Sequence, residues 1–223
     1  MNFKSYPDRE MLVLNVANML AGELRKCLVQ HDIASFAVPG GTTPAPIFEM
    51  MRDAELDWPR VHVMLTDERW VPEDHDASNT RLVKTHLLQD RAAQASFVPY
   101  YRAGKSAEEG CAEVSQTLSG ELPLSLLVLG MGADMHTASL FPGAKGTAAA
   151  LDANAPLLCP VHPDTTETAR VTLPAHVLEG AMSTHVVIFG DEKRAAVERA
   201  QTLPPEEAPI ATVLGNATVH WAA

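Results

Sequence analysis

His136 stands two residues after Asp134, just past an apolar run, and that pair could perform acid–base chemistry. An imidazole can take a proton from water at neutral pH, and a nearby carboxylate can fix its tautomer. A histidine that caps a helix or completes a core would look the same in isolation, and the chain has nine histidines. Other residues strengthen the chemical reading of this one. In Gly40-Gly41-Thr42-Thr43, two glycines permit close backbone approach to a ligand, and a helix starting just beyond would offer N–H groups and a dipole suited to an anion. The same four residues also fit an ordinary strand-to-helix turn. Asp67-Glu68-Arg69 reads either as a solvated charged turn or as part of a site. Arg170 and Lys193 read either as surface cations or as ligands of an anionic substrate.

Several chemistries find no support. The glycine-threonine turn matches neither G-x-x-x-x-G-K-[ST] nor G-x-G-x-x-G, so neither nucleotide-triphosphate nor dinucleotide binding is indicated. The remaining histidines, at 62, 75, 86, 162, 176, 185 and 220 among others, show no metal-ligand spacing, and neither a metal nor a cofactor is expected. Cys27, Cys111 and Cys159 are widely separated, which suits reduced thiols in a cytoplasmic protein better than disulfides or a zinc site. The net charge of −11 argues against a nucleic-acid or anionic-membrane partner, yet leaves room for a small anion held by a few local cations. The apolar stretch from Met11 to Ala21 is preceded by Asp8 and Glu10 and broken by Asn15 and Asn18, so it lacks the features of a signal peptide. No run of apolar residues is long enough to predict a membrane span.

The elements that must position these residues can be read from periodicity. Leu12, Val16, Leu20, Leu24 and Leu28 mark one face of an amphipathic helix. Ala34–Val38 reads as a buried strand ending at Pro39-Gly40-Gly41, with Thr42 or Thr43 capping the next helix and Pro44 in its first turn. Val61–Leu65 is a second strand, followed by the charged turn Thr66–Arg69. Ser78 caps a helix, and Ser106-x-x-Glu109 is a capping box for another ending near Gly120. Leu124–Leu129 is a near-continuous apolar strand stopped by Gly130-Met131-Gly132. Leu157–Val161, Ala169–Leu173, His185–Phe189 and Thr218–Trp221 read as further strands, with a helix over Glu192–Gln201 and a proline-rich linker at 204–209. Alternating strands and helices predict an α/β fold with a mostly parallel sheet, in one domain spanning residues 1–223. In such sheets ligands sit at the carboxyl ends of the strands, where most of the candidate residues fall.

Taken together, the motifs resemble the 6-phosphogluconolactonase family, within the wider glucosamine-6-phosphate isomerase/6-phosphogluconolactonase group. Val38-Pro39-Gly40-Gly41-Thr42-Thr43-Pro44 is similar to its phosphate turn. Thr66-Asp67-Glu68-Arg69-Trp70-Val71-Pro72, followed by Ser78-Asn79, is similar to its D-E-R-x-V-P…S-N signature. The stretch from Leu129 to Gly143 resembles the loop that carries the family's histidine, and Arg170-Val171-Thr172-Leu173 and Gly190-Asp191-Glu192-Lys193 match two later motifs. The resemblance implies a doubly wound, mostly parallel α/β sheet flanked by helices, like that of sugar-phosphate isomerases and deaminases. It implies hydrolysis of 6-phospho-D-glucono-1,5-lactone to 6-phospho-D-gluconate, in the oxidative pentose phosphate pathway. The substrate phosphate would lie on Gly40, Gly41, Thr42 and Thr43, with Arg170 and Lys193 as its cations and Asp67 also in the substrate site. His136, oriented by Asp134, would activate water, and Arg69 would stabilise the carbonyl oxygen or bind substrate. Monomer and homodimer both remain open.

Two positions depart from the family pattern. Pro39 stands where a serine is common. Met135 replaces the glycine usual between aspartate and histidine, and its side chain should exclude a strongly left-handed backbone there. Glucosamine-6-phosphate deaminases share the turn but usually carry a tyrosine after D-E and A-F-N-E-P after the histidine. Here Arg69 and Ala138-Ser139-Leu140-Phe141-Pro142 occupy those places. Ammonia release from an amino-sugar phosphate would mark the deaminase alternative. A third reading, a non-catalytic sugar-phosphate sensor, usually brings a basic helix-turn-helix that this acidic chain lacks.

Overall fold

The computed structural model describes residues 1–223. Seven strands form one wholly parallel sheet: β1 (Asn2–Ser5), β2 (Ala34–Val38), β3 (Val61–Leu65), β5 (Ser96–Phe97), β6 (Leu126–Leu129), β9 (Thr184–Phe189) and β10 (Thr218–Ala222). Their spatial order is β1-β10-β9-β6-β2-β3-β5. From β2 the chain moves to β3 on one side, and from β6 to β9 on the other. The direction of winding therefore reverses between β2 and β6, and a crevice opens at their carboxyl ends.

Helices cover both faces because every central strand is buried on both sides. The long helix α1 (Arg9–Gln30) starts where the Asp8 carboxylate accepts the Met11 N–H at 2.8 Å. Its buried face carries the expected Leu12, Val16, Leu20, Leu24 and Leu28. Around the sheet follow α2 (Ala45–Met51), α3 (Asn79–His86), α4 (Ala107–Leu118), α5 (Thr147–Leu151), α6 (Ala175–Glu179), α7 (Asp191–Ala200) and α8 (Ala211–Leu214). The capping box at Ser106 and Glu109 is present in both directions. A single cluster of 54 buried residues runs through the sheet and its helices.

Three expectations need correction. The N-cap of α2 is Pro44 and no side chain caps it; the hydroxyls of Thr42 and Thr43 stay free instead of folding back onto the helix. The stretch Asp67–Arg69 is not a turn but strand β4, in a second sheet of order β4-β8-β7 with β7 (Cys159–Val161) and β8 (Arg170–Thr172), all antiparallel. Pairing with β8 takes it out of solvent, and Glu68 is completely buried. The third concerns Met135, which adopts φ +66 despite its side chain. Its N–H donates to the Gly132 carbonyl at 3.0 Å, and its own carbonyl accepts from the Ile210 N–H at 3.2 Å. Those bonds, with packing of Met135 on the core, offset a left-handed strain of about 1 kcal/mol.

Candidate active site

The crevice at the β2/β6 switch holds a cleft of about 300 Å³. Its walls include Gly40, Gly41, Thr42 and Thr43 after β2, Asp67 and Arg69 of β4, His136 beyond β6, Arg170 of β8 and Lys193 in the first turn of α7. The proposed site residues thus converge from five separate segments, and only Asp134 stands outside the cleft wall, behind His136.

The loop after β6 is shaped around the histidine. The Gly132 N–H donates to the His136 carbonyl at 3.0 Å, and the Thr137 hydroxyl donates to the Gly130 carbonyl at 2.9 Å. His136 Nδ1 lies 2.6 Å from Asp134 Oδ1, which also accepts the His136 backbone N–H at 3.2 Å. With Nδ1 held by a carboxylate, Nε2 is the nitrogen left to take a proton. A side chain at Gly132 would collide with this pair: a Cβ would lie 2.2 Å from Nδ1 and 2.4 Å from Asp134 Oδ1. The imidazole also leans on Phe141, with ring centroids 4.5 Å apart. The Arg170 guanidinium sits over that phenyl ring, 5.9 Å from its centre.

The electrostatics of the cleft point to an anion. Arg69 and Arg170 face each other as register partners in the β4–β8 ladder. Like charges directly opposite are normally unfavourable. Burial, and then the charge of Arg69, lower the Arg170 pKa below its ordinary value, against opposing effects of Asp67 and Glu68. Neither arginine, nor Lys193, forms an ion pair with a carboxylate. Both arginine Nε atoms are buried without a hydrogen-bond partner. In a chain of net charge −11, three cations without an ion-pair partner line one crevice, an arrangement suited to a negatively charged group.

Acceptors complete the lining. Asp67 Oδ2 accepts from the Ser139 hydroxyl at 2.6 Å and Oδ1 from the Thr66 hydroxyl at 3.0 Å, so its carboxylate is fixed at the cleft wall. Glu68 points the other way. It accepts from the backbone N–H groups of Arg69, Asn79 and Thr80 and from the hydroxyls of Ser78 and Thr80. Burial raises its pKa even against these bonds, and it serves to tie β4 to the start of α3. Asn79, which the candidate list from sequence omitted, also lines the cleft. It donates to the Asp67 carbonyl at 2.8 Å and accepts from Arg69 at 3.0 Å. Its only signal in the sequence is its place after Ser78 in the Asp-Glu-Arg motif, where it reads as the opening of a helix.

No three His, Cys, Asp or Glu side chains gather in a way that could hold a metal ion. No helix is long and apolar enough to cross a membrane.

Comparison with known proteins agrees over nearly the full chain. The family model described as glucosamine-6-phosphate isomerases/6-phosphogluconolactonase matches residues 7–221. A 6-phosphogluconolactonase of Pseudomonas aeruginosa is 40% identical over 211 residues, covering 92% of this chain and 88% of that protein. One from Rhizobium meliloti is 36% identical and covers 99% and 98%. The crystal structure of a 6-phosphogluconolactonase from Shewanella baltica superposes with a TM-score of 0.95 at 33% identity, covering 100% of this chain and 98% of that one. The chain belongs to the glucosamine-6-phosphate isomerase/6-phosphogluconolactonase family.

Proposed function

We propose that this protein hydrolyses 6-phospho-D-glucono-1,5-lactone to 6-phospho-D-gluconate, with His136 as the general base. The observation that carries the reading is an imidazole, held through Nδ1 by Asp134, on the wall of a cleft that three unpaired cations also line. The substrate phosphate binds on the Gly40–Thr43 turn, where the free threonine hydroxyls add donors, and Arg170 and Lys193 neutralise it. His136 Nε2 removes a proton from water as that water attacks the lactone carbonyl. The imidazolium, stabilised by Asp134, then returns the proton to the ring oxygen as the tetrahedral intermediate collapses. Arg69 binds substrate or stabilises charge on the carbonyl oxygen. Base catalysis of this kind contributes about 10²–10⁴ in rate.

The ligand is a small phosphate ester. The overall charge of −11 opposes a nucleic-acid backbone. A cytoplasmic location fits three free cysteines, two of them buried. Burial, with Cys159 close by, pushes the Cys111 thiol up to about 12, and burial takes Cys159 to about 11, so neither is reactive.

The test is lactone hydrolysis measured above the spontaneous background, with and without prior chelator treatment. Chelated and then chelator-free enzyme is expected to keep its rate, and His136→Asn to lower kcat by about 10² or more with product affinity little changed. A His136→Asn enzyme with wild-type kcat would remove the residue from the mechanism.

A further inference from the structure

We propose that Asn79 is a positioning residue for substrate binding: its neutral carboxamide holds the Arg69 guanidinium by Nη1 and leaves Nη2, on a fully charged group, for the ligand. The inference rests on the reading of Arg69 as part of the substrate site.

Asn79 is 1% exposed, and each polar atom of its side chain is engaged. Oδ1 accepts from Arg69 Nη1 at 3.0 Å, and Nδ2 donates to the Asp67 backbone carbonyl at 2.8 Å. A guanidinium can only donate and a carbonyl can only accept, so the amide has one consistent orientation. Its own backbone N–H is fixed on Glu68 Oε1 at 2.7 Å, so a buried carboxylate anchors the residue that anchors the arginine.

The consequence for Arg69 follows from its geometry. Nη1 is taken up by Asn79 Oδ1 and, at 2.8 Å, by the Ala77 carbonyl. Nε and Nη2 make no hydrogen bond within the protein; Nε is buried, so Nη2 is the nitrogen left facing the cleft that Arg69 lines. Nη2 can therefore give a charge-assisted hydrogen bond to an oxyanion. Arg170 stands directly opposite in the ladder, so an untethered Arg69 would be pushed away from it. An amide resists that displacement without an opposing charge. A carboxylate in its place would pair with the guanidinium and withdraw it from the substrate.

The same carboxamide explains a glycine. A Cβ at Gly40 would lie 1.9 Å from Asn79 Oδ1, so Asn79 fills the space that any larger residue in the turn would need. Phosphate turn and arginine are thereby locked to one another through a residue between them.

The experiment is a double-mutant cycle on the phosphorylated lactone, with thermal unfolding recorded for each protein. Asn79→Ala is expected to lower kcat/KM about tenfold or more, in the range for a lost hydrogen bond to a charged group, and to add little when Arg69→Ala is already present. Gly40→Ala is expected to be damaging alone and less damaging in the Asn79→Ala background, where the colliding atoms are gone. Should Asn79→Ala fail to fold, Asn79→Ser carries the same cycle. Full activity of the Asn79 variant at unchanged Tm overturns the proposal, as does a loss that multiplies with that of Arg69→Ala. An Arg69→Ala enzyme with normal kinetics overturns both this proposal and the reading of Arg69 as a site residue, whereas an impaired Arg69→Ala with independent losses at Asn79 overturns this proposal alone.

Discussion

Arg170 and Lys193 approach the cleft from β8 and α7, and neither forms an ion pair with a carboxylate. If each contacts the phosphate in ground and transition states alike, its removal weakens binding more than chemistry. Arg170→Ala and Lys193→Ala are therefore expected to raise KM for the phosphorylated lactone with smaller changes in kcat, while hydrolysis of unphosphorylated gluconolactone stays nearly unchanged. Steady-state kinetics on both substrates would check this, and normal hydrolysis of the phosphorylated lactone by both variants would remove these cations from the site. Asp134 has a different part. It touches His136 and stands outside the cleft, so Asp134→Asn should reduce kcat less than His136→Asn does, if orientation is its whole role. The glycine-threonine turn and His136 were legible as candidates in the sequence because each follows a buried strand, whereas Asp67, Arg69, Arg170 and Lys193 lie in strands and a helix of their own. Asn79 was not, since its importance depends on Gly40 and Arg69 approaching it in space. Asn at the start of a helix also has an ordinary local explanation.

The loop between β6 and Gly143 is the element that carries His136, and Gly132 is its tightest point. Gly132→Ala places a methyl group against both Nδ1 of His136 and the Asp134 carboxylate. The expected result is a fall in kcat at least as large as that of Asp134→Asn, with a modest change in KM, measured on enzyme whose circular dichroism is unchanged. Wild-type kcat in that variant would show that the pair need not be held as the structure holds it. Helices with side-chain caps, such as those beginning at Ser78 and Ser106, were readable from local pattern. The strands β1 and β5 were not: β1 is a largely exposed edge strand of four residues, and β5 has only two. In the second sheet, β7 and β8 lie within segments that read as strands, but the three residues of β4 read as a charged turn, and the pairing joins segments far apart in the chain. Met135 shows the limit of a local rule: hydrogen bonds from outside the dipeptide hold a backbone that side-chain sterics disfavour.

At the scale of the whole molecule, the parallel sheet and its flanking helices followed from the alternation of strand and helix signals, but the strand order did not. The order depends on which long-range pairs form, and the edge pairing of β1 with β10 brings the two ends of the chain together. Beneath that edge, Glu23 of α1, His185 of β9, His220 of β10 and Tyr6 form a hydrogen-bonded chain, with Lys4 nearby. Burial and then the neighbouring His185 hold His220 at about 3, against 6.5 for the free side chain. Burial alone would raise Glu23, but its bonds from His185 and Ser183 outweigh it and leave the carboxyl below its ordinary value. The fold thus favours neutral His220 and charged Glu23. Stability from His220 is complete above pH 6.5 and is withdrawn as the pH falls from there toward 3, with the Glu23 contribution lost at the lower end. In urea titrations, the stability gap between wild type and His220→Asn should shrink as pH is lowered through that window. A gap independent of pH would contradict the assignment.

The opposed arginines of the β4–β8 ladder also bear on how the protein behaves without its ligand. The two facing guanidiniums repel one another, with Asp67 and Glu68 only partly offsetting it, and a phosphate bound beside them would relieve that repulsion. Substrate and product would then act as folding ligands by mass action. At a concentration about a hundred times its Kd, an anion that binds only the native state adds about 2.7 kcal/mol, or about 5–10 °C in Tm for a chain of this size. The shift should be smaller in Arg170→Ala. A cell that lets the lactone and its product run low would, on this account, also be holding a less heat-resistant enzyme.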